Sequence, residues 1–204
     1  MKLYHFPSPN PQKVTFALKE LGLDCEIVPV DLAKGEQRRP EFLAINPFGR
    51  VPVLVDGDLT LTESHAILAY LGDKTDRLWP ASAAGRARAL QWLFFLSQHM
   101  MPPAGELAFN RIAARVLGFP PDEAAIARGE KALPGVIGIL EGQLATQKWI
   151  GGPEFSLVDC AYVPVLNVVE KAGFGYRDFP KLAAYLDAAR ARPGWKETPK
   201  LPGL

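Results

Sequence analysis

The sequence predicts a small α/β domain followed by a larger all-α domain. Strand and helix signals alternate over roughly the first 75 residues, whereas afterwards strand signals largely disappear and apolar residues recur at helical spacing. Between the two parts, residues 75–87 (TDRLWPASAAGRA) carry turn, proline and glycine signals. We therefore expect domains at residues 1–76 and 86–204, joined by a linker at 77–85.

The predicted element order of the first domain is β-α-β-α-β-β-α. Its strands and helices are expected, in this order, in the segments KLYHF, PQKVTFALKELGL, CEIVPVDL, PEFLAINPFG, PVLVDGDLTLT and ESHAILAYLGDK. Gly22 is the expected C-cap of the first helix, and Asp56-Gly57 is expected to turn a hairpin. Because a helix joins the first two strands, these strands should be parallel, with a right-handed crossover.

Composition and charge argue against several functional classes. The 204 residues carry a net charge of +1, so no basic excess suggests nucleic acid or an anionic membrane as a partner. No apolar run reaches the ~20 residues that a membrane-spanning helix needs. Cys25 and Cys160 lie far apart and lack metal-ligand spacing. We expect a cytoplasmic protein without a metal, in a reducing compartment.

The segment FPSPNPQK, residues 6–13, places polar side chains among three prolines. Pro11 suits the first position of a helix, which makes Asn10 the predicted N-cap. Ser8 comes two residues earlier, too early to cap the helix well, yet close to its positive end. A hydroxyl in this position could help to hold an anion. The alternative is a solvated loop serine.

Two further motifs could bind a peptide-like ligand. In NPFGRVPVLVDG, a cis Val51-Pro52 bond would turn the backbone N–H and C=O of Val51 outward for strand-like pairing, although the sequence alone favours trans. In LTESHAIL, Ser64 is the predicted N-cap, and Glu63 with Ser64 could hold the ammonium and carboxylate groups of an amino acid. The alternative for this pair is an ordinary helix cap.

Together, SPNPQKV, EFLAINPFGRVPVLVDGDLTLTESHAILAYL and the helical remainder resemble the cytosolic glutathione transferases. The resemblance covers the whole chain and is densest over residues 1–75. It implies a thioredoxin-like N-terminal domain, an all-helical C-terminal domain and a homodimer, in which Phe48 is a candidate for an apolar plug inserted into the partner. Ser156 and Asp159, which have the spacing of a capping box, fit this helical domain as structural residues.

The resemblance also implies which residues bind glutathione. They are, in chain order, Gln37, Arg38, Arg50, Val51, Pro52, Glu63 and Ser64. The backbone of Val51, beside a cis proline, is implied to pair with the cysteinyl part of glutathione, while Glu63 and Ser64 hold the γ-glutamyl end. The remaining polar and basic residues would lie near the glycine carboxylate.

The implied activity is conjugation of glutathione to an apolar electrophile. Ser8 matches the catalytic serine, which would donate a hydrogen bond to the glutathione sulfur, and Asn10 lies beside it. A disulfide reductase or peroxidase in which Asn10 shares the sulfur site is one alternative, and a non-enzymatic glutathione-binding protein is another. The second substrate is expected between the domains, against Phe6, His99, Met100, Phe109 and Phe174.

Overall fold

A four-stranded sheet forms the centre of the first domain in the computed structural model, which describes residues 1–114 and 118–200. In space the strands follow the order β2-β1-β3-β4; they are β1 (Lys2–His5), β2 (Glu26–Pro29), β3 (Val53–Asp56) and β4 (Leu59–Leu61). β1 and β2 are parallel, whereas β1–β3 and β3–β4 are antiparallel. The predicted parallel pair and the predicted hairpin are therefore confirmed.

Helices cover both faces of this sheet and complete the predicted element order. They are α1 (Pro9–Leu21), α2 (Pro40–Leu43), which follows a 3₁₀ turn, and α3 (Ser64–Thr75). Successive residues of a strand point to opposite faces, and β3 shows the consequence. Leu54 belongs to the main hydrophobic core with residues of α1 and α3, whereas Val53 packs in a smaller cluster with Val30 and Phe42.

α1 begins two residues earlier than predicted. It starts at Pro9, and its N-cap residue is Ser8, so the prediction that Asn10 caps the helix is wrong. The physical reason is that Pro9 and Pro11 both fall in the first turn, where the missing N–H groups are not needed for intrahelical bonds. The other end agrees with the prediction, since Gly22 is the C-cap with a φ of 65°.

The described residues of the second domain form six helices. They are α4 (Ala83–Phe95), α5 (Met101–Ala108), α6 (Glu123–Thr146), α7 (Leu157–Lys171), α8 (Pro180–Arg190) and α9 (Pro193–Glu197). Wider π-type turns, Leu96–Met100 and Phe109–Ala113, flank α5 on its two sides. Within residues 1–114 and 118–200, no helix combines the length and apolar character needed to cross a membrane.

α7 is the central helix of the second domain, and its N-terminus carries the predicted capping box. The backbone N–H of Ser156 donates to Oδ2 of Asp159 at 2.9 Å, and the N–H of Ile150 donates to Oδ1 of Asp159 at 2.9 Å. Asp159 is fully buried, so these bonds compensate for the loss of water around its carboxylate. The expected structural role of Ser156 and Asp159 is confirmed.

The two domains share one hydrophobic core. α1 packs against α7 and α9, and the ring of Phe16 lies 5.7 Å from that of Phe155 and 5.5 Å from that of Trp195. On the same interface, Nη2 of Arg192 donates to Oε2 of Glu20 at 2.6 Å. Since α1 is held against the second domain in this way, its N-terminus has a fixed position relative to α5 and α7.

Candidate active site

A cavity of about 370 Å³ lies between the two domains at the N-terminus of α1. Ser8 and Asn10 line it, together with three of the seven predicted glutathione-binding residues: Gln37, Arg50 and Val51. The opposite side consists of residues from α5, the turn after α5, and α7. Its volume falls in the range of small-molecule sites, so the predicted catalytic residues open onto a cavity that could hold a ligand.

Ser8 and Asn10 form a polar corner with two hydrogen-bond donors that α1 does not use. Pro9 and Pro11 have no N–H, and the N–H of Gln12 donates to the carbonyl oxygen of Ser8 at 3.1 Å. Among residues 9–12, this leaves the backbone N–H of Asn10, next to a Ser8 hydroxyl that makes no capping bond. Both donors lie at the positive end of the helix dipole, so the polar corner favours a negative charge.

Buried Asn46 shapes the loop that follows α2. Its Nδ2 donates to the carbonyl oxygen of Arg50 at 2.7 Å, and its Oδ1 accepts a hydrogen bond from the N–H of Phe48 at 3.1 Å. Only 1% of Asn46 is exposed, and its two hydrogen bonds are partly buried. Asn46 therefore fixes the path by which Arg50 and Val51 reach the cavity.

The same loop lies against Gln37. Gly49 has a φ of 58°, and a Cβ at this position would lie 3.0 Å from the carbonyl oxygen of Gln37, so glycine is required both by conformation and by space. The buried Oε1 of Gln37 has no hydrogen-bond partner among the described residues. The Val51-Pro52 bond is cis, which confirms the expectation from the resemblance and makes the trans expectation wrong.

Four predicted glutathione-binding residues do not line the cavity: Arg38, Pro52, Glu63 and Ser64. Arg38 is exposed, whereas Pro52 is buried beneath the loop. Glu63 is the N-cap of α3 and Ser64 its first residue, so the prediction that Ser64 caps the helix is wrong. Glu63 has a φ of 65°, a conformation that costs a non-glycine residue about 1–3 kcal/mol and is concentrated at functional sites.

Buried Lys13 and half-buried His65 form a pair close to Glu63. Burial lowers the pKa of Lys13 to about 7, and the Glu63 carboxylate opposes this effect. Burial, and after it the charge of Lys13, lowers the pKa of His65 to about 3. Because these two side chains belong to α1 and α3, they connect the helix that carries the polar corner with the helix that begins at Glu63 and Ser64.

The second domain gives the cavity an apolar wall that carries no charged residue. This wall consists of Met101, Ala104, Gly105, Ala108, Phe109, Ile112, Ala113, Val165 and Val168. Phe6 adds an aromatic ring from the first domain. Two of the five residues predicted to contact a second substrate, Phe6 and Phe109, therefore line the cavity.

The other three predicted second-substrate residues lie elsewhere. His99 is exposed and packs against Phe95, with ring centroids 5.2 Å apart. Met100 is fully buried in the core, and Phe174 packs against Tyr176 with ring centroids 5.8 Å apart. Residue type suggested all three. His99 and Met100 are successive residues of a helical turn, so they point in different directions, and Phe174 lies in the loop after α7.

Two other observations limit the choice of site. A second cavity, of about 480 Å³, lies between the start of α4 and the end of α6, and none of the predicted site residues lines it. Within the described part of the chain, no group of three or more His, Cys, Asp and Glu side chains could hold a metal ion. The cavity at the N-terminus of α1 is therefore the candidate active site.

Three residues that shape this site were not predicted from the sequence: Lys13, Asn46 and His65. A lysine between apolar positions of an amphipathic helix was one available signal, since such a lysine needs a partner when it is buried. The NPFG tetrapeptide was another, because an asparagine side chain readily bonds the backbone of its own turn. His65 gave no comparable signal.

The fold and the cavity define the class of protein. A thioredoxin-like domain with a cis-proline loop, a polar corner at a helix N-terminus and an all-helical second domain are the features expected of a glutathione transferase. Residues 1–73 match the family described as "Glutathione S-transferase, N-terminal domain", and residues 90–193 match "Glutathione S-transferase, C-terminal domain".

Individual relatives agree with these matches. The chain is 41% identical to Glutathione S-transferase 3 of Zea mays, over 97% of this chain and 92% of that protein. Its structure matches glutathione transferase F7 from Populus trichocarpa with a TM-score of 0.89 and 32% identity, over 97% of this chain and 96% of that one.

A bacterial structure is similar to the same extent. It is a glutathione transferase from Burkholderia graminis with two glutathione molecules bound per subunit, and it matches with a TM-score of 0.87 and 34% identity, over 97% of this chain and 86% of that one. This chain belongs to the glutathione transferase family, and it is a transferase enzyme.

Proposed function

We propose that this protein conjugates the thiolate of glutathione to small, apolar electrophiles. The observation that carries this proposal is that one cavity joins the polar corner, Ser8 and Asn10, to a wall that is apolar throughout. A thiolate and an apolar electrophile need these two surroundings side by side. In this arrangement the sulfur would lie at the polar corner and the electrophile against the wall.

The proposed position of glutathione follows the residues around the polar corner. Gln37 and Arg50 line the cavity, and they would take the glycine carboxylate, with exposed Arg38 close in sequence. The backbone of Val51 would pair with the cysteinyl residue. Glu63 and Ser64, at the start of α3, would hold the ammonium and carboxylate groups of the γ-glutamyl end.

The polar corner can supply the energy needed to ionise the thiol. A thiol with an ordinary pKa of about 8.5 is a few per cent ionised at pH 7, and lowering that pKa by two units takes about 2.7 kcal/mol. A hydrogen bond to a charged acceptor contributes about 1.5–3 kcal/mol, and a helix dipole contributes up to ~1 kcal/mol. Ser8 would therefore stabilise the thiolate as a hydrogen-bond donor and would not act as a nucleophile.

The apolar wall favours conjugation over disulfide reduction. A disulfide of two glutathione molecules would bring a second pair of carboxylates into the cavity, and desolvating them is costly without a cation nearby. The wall residues from 101 to 168 include no lysine or arginine. An uncharged electrophile meets no such cost, and it gains free energy by leaving water.

We also propose a cytoplasmic homodimer that acts in detoxification. Phe48 is 71% exposed and Phe94 is 62% exposed, and Leu90 lies one turn before Phe94 on α4. Contiguous exposed apolar side chains mark association surfaces, and in the proposed dimer Phe48 of one subunit inserts against the partner. In a reducing cytoplasm, Cys25 and Cys160 would remain free thiols.

Three assays run in parallel test the proposed reaction. Purified protein with glutathione would be given chlorodinitrobenzene, an organic hydroperoxide or a small disulfide, and glutathione binding would be measured by calorimetry. We expect turnover with the first compound to exceed that with the other two. Faster reduction of the disulfide or the hydroperoxide would contradict the conjugation proposal, and glutathione binding without any turnover would contradict a catalytic role.

A further inference from the structure

Gly105 leaves a gap in the apolar wall that the fold itself does not require. It lies in the interior of α5 and lines the cavity. A Cβ added there would meet no atom within 4 Å outside its own helix turn, and its φ does not lie in the left-handed region. Glycine inside a helix weakens the folding equilibrium by about two- to fivefold relative to alanine. Folding alone would therefore favour alanine at this position.

Gly129, on α6, is by contrast a glycine that close helix packing requires. A Cβ at Gly129 would lie 2.8 Å from the carbonyl oxygen of Pro103 and 3.1 Å from the backbone nitrogen of Leu107, both on α5. One side of α5 is thus packed so closely against α6 that a methyl group does not fit. The cavity side of the same helix has space at Gly105, so this space belongs to the cavity and not to helix packing.

The gap lies between two large side chains of the wall. Met101 precedes Gly105 by four residues and Phe109 follows it by four, and all three line the cavity. Four helical residues span about 6 Å, so the attachment points of Met101 and Phe109 are about 12 Å apart. That distance accommodates both side chains and one planar ring between them, since each face of a ring needs about 3.5–4 Å.

We propose that Gly105 is a specificity-determining residue, which opens a slot for a planar aryl group of the electrophile between Met101 and Phe109. The thioether of Met101 and the ring of Phe109 both make favourable contacts with an aromatic ring. This inference rests on the proposed function, because it assumes that glutathione places its sulfur at the polar corner. Beyond the proposed function, the slot implies that the electrophiles preferred by this protein carry a flat aromatic group.

Binding of S-substituted glutathiones tests the slot without requiring turnover. Calorimetry would compare S-methylglutathione with S-benzylglutathione for the native protein and for the variants Gly105→Ala, Gly105→Val and Gly138→Val. Gly138 is the matched control, because it is an exposed glycine inside α6 with no atom within 4 Å of an added Cβ. For the native protein and Gly138→Val, we expect the benzyl compound to bind about tenfold or more tightly than the methyl compound, from the apolar area that it buries.

Gly105→Val should reduce the preference for the benzyl compound over the methyl compound to about threefold or less. Its affinity for S-methylglutathione should stay within about twofold of that of the native protein. Gly105→Ala should reduce the preference for the benzyl compound by a smaller amount. Alanine raises the stability of the helix, so this variant keeps the test valid if Gly105→Val folds poorly. An unchanged preference in both variants would overturn the slot. Native protein that binds the methyl compound without preferring benzyl would also overturn the slot while leaving the glutathione site intact, and binding of neither compound would overturn the proposed function as well.

Discussion

Nζ of Lys13 lies 3.1 Å from Nε2 of His65, and 1% of Lys13 is exposed. While Lys13 is protonated, its ammonium group can only donate, so this hydrogen bond then requires Nε2 of a neutral His65 ring as the acceptor. A buried lysine without such a partner would be strongly unfavourable. The pair therefore stabilises the contact between α1 and α3, and it does so only while His65 remains neutral.

The stability of the protein should fall in mild acid because of His65. Its pKa is about 3 in the folded protein and 6.5 ordinarily, so between these values the unfolded chain binds a proton that the folded chain does not. The free energy of unfolding then decreases as pH falls, by up to about 1.4 kcal/mol per pH unit for one such group. From pH 6.5 to 5 this amounts to about 1–2 kcal/mol.

His65→Asn should remove the contribution of His65 to the pH dependence of the free energy of unfolding, because the amide does not titrate. Its oxygen can still accept a hydrogen bond from Lys13, so the contact itself is kept. Urea unfolding at pH 7 and pH 5 would measure it, with His99→Asn as the control at an exposed histidine. His5 is also buried, with its pKa lowered to about 4, so part of the native pH dependence should persist. Equal pH dependence in native protein and His65→Asn would contradict this role.

Ser8→Ala should slow conjugation of chlorodinitrobenzene by about 10- to 100-fold, because a hydrogen bond to a charged sulfur is lost. The pH at which bound glutathione ionises should rise by about one to two units. Thiolate absorbance of the glutathione complex and the pH profile of kcat/KM would both report this shift. Ser8→Thr should restore part of the activity, and Ser97→Ala, whose hydroxyl bonds its own helix, should have no effect. An unchanged pH profile in Ser8→Ala would exclude Ser8 as the activating group.

Asn46→Ala should weaken glutathione binding by about tenfold, because the loop that carries Arg50 and Val51 loses two partly buried hydrogen bonds. At saturating glutathione, kcat should change little, since the polar corner belongs to a different element. Calorimetry and steady-state kinetics would separate the two effects, with Asn167→Ala, which pairs with Arg190 on the far side of α7, as the control. A large loss of kcat with unchanged affinity would be inconsistent with this role.

Gly129→Ala should destabilise the protein by about 1–3 kcal/mol, because the added methyl group forces α5 and α6 apart. Gly138→Ala, in the same helix but facing open space, should instead stabilise it by up to about 1 kcal/mol. Urea unfolding of both variants at one pH would measure the difference. Similar effects of the two substitutions would show that the α5–α6 contact does not depend on Gly129.

Phe48→Ser should shift the proposed dimer toward monomer at micromolar concentration, because the exposed ring is the apolar plug in this arrangement. Light scattering after gel filtration would give the mass of each species. Phe119→Ser, at another exposed phenylalanine, should leave the mass unchanged. A native protein that is already monomeric under these conditions would remove the dimer proposal.

Local sequence signals were sufficient for most of the fold. The alternation of strands and helices, the Asp56-Gly57 hairpin and the Ser156–Asp159 capping box each depend on residues close together in the chain, and each has its own chemical signature. Helix starts were less predictable. Two closely spaced prolines are both compatible with a first helical turn, so their pattern did not show that α1 starts at Pro9.

The candidate site likewise combines residues that local sequence signals identify with residues that only the packing of distant helices brings together. The sequence by itself determined that Ser8 and Asn10 stand among prolines at the start of a helix and that Val51 precedes a proline. The first residue of α1 and the cis form of the Val51-Pro52 bond became visible only in the folded structure. The tertiary structure alone decided which apolar residues reach the cavity, so that Met101 lines it whereas the adjacent Met100 is buried. It also decided that Lys13 meets His65 and that α5 has space at Gly105. These facts depend on how distant helices pack together, and sequence spacing within one helix carries no information about its partner.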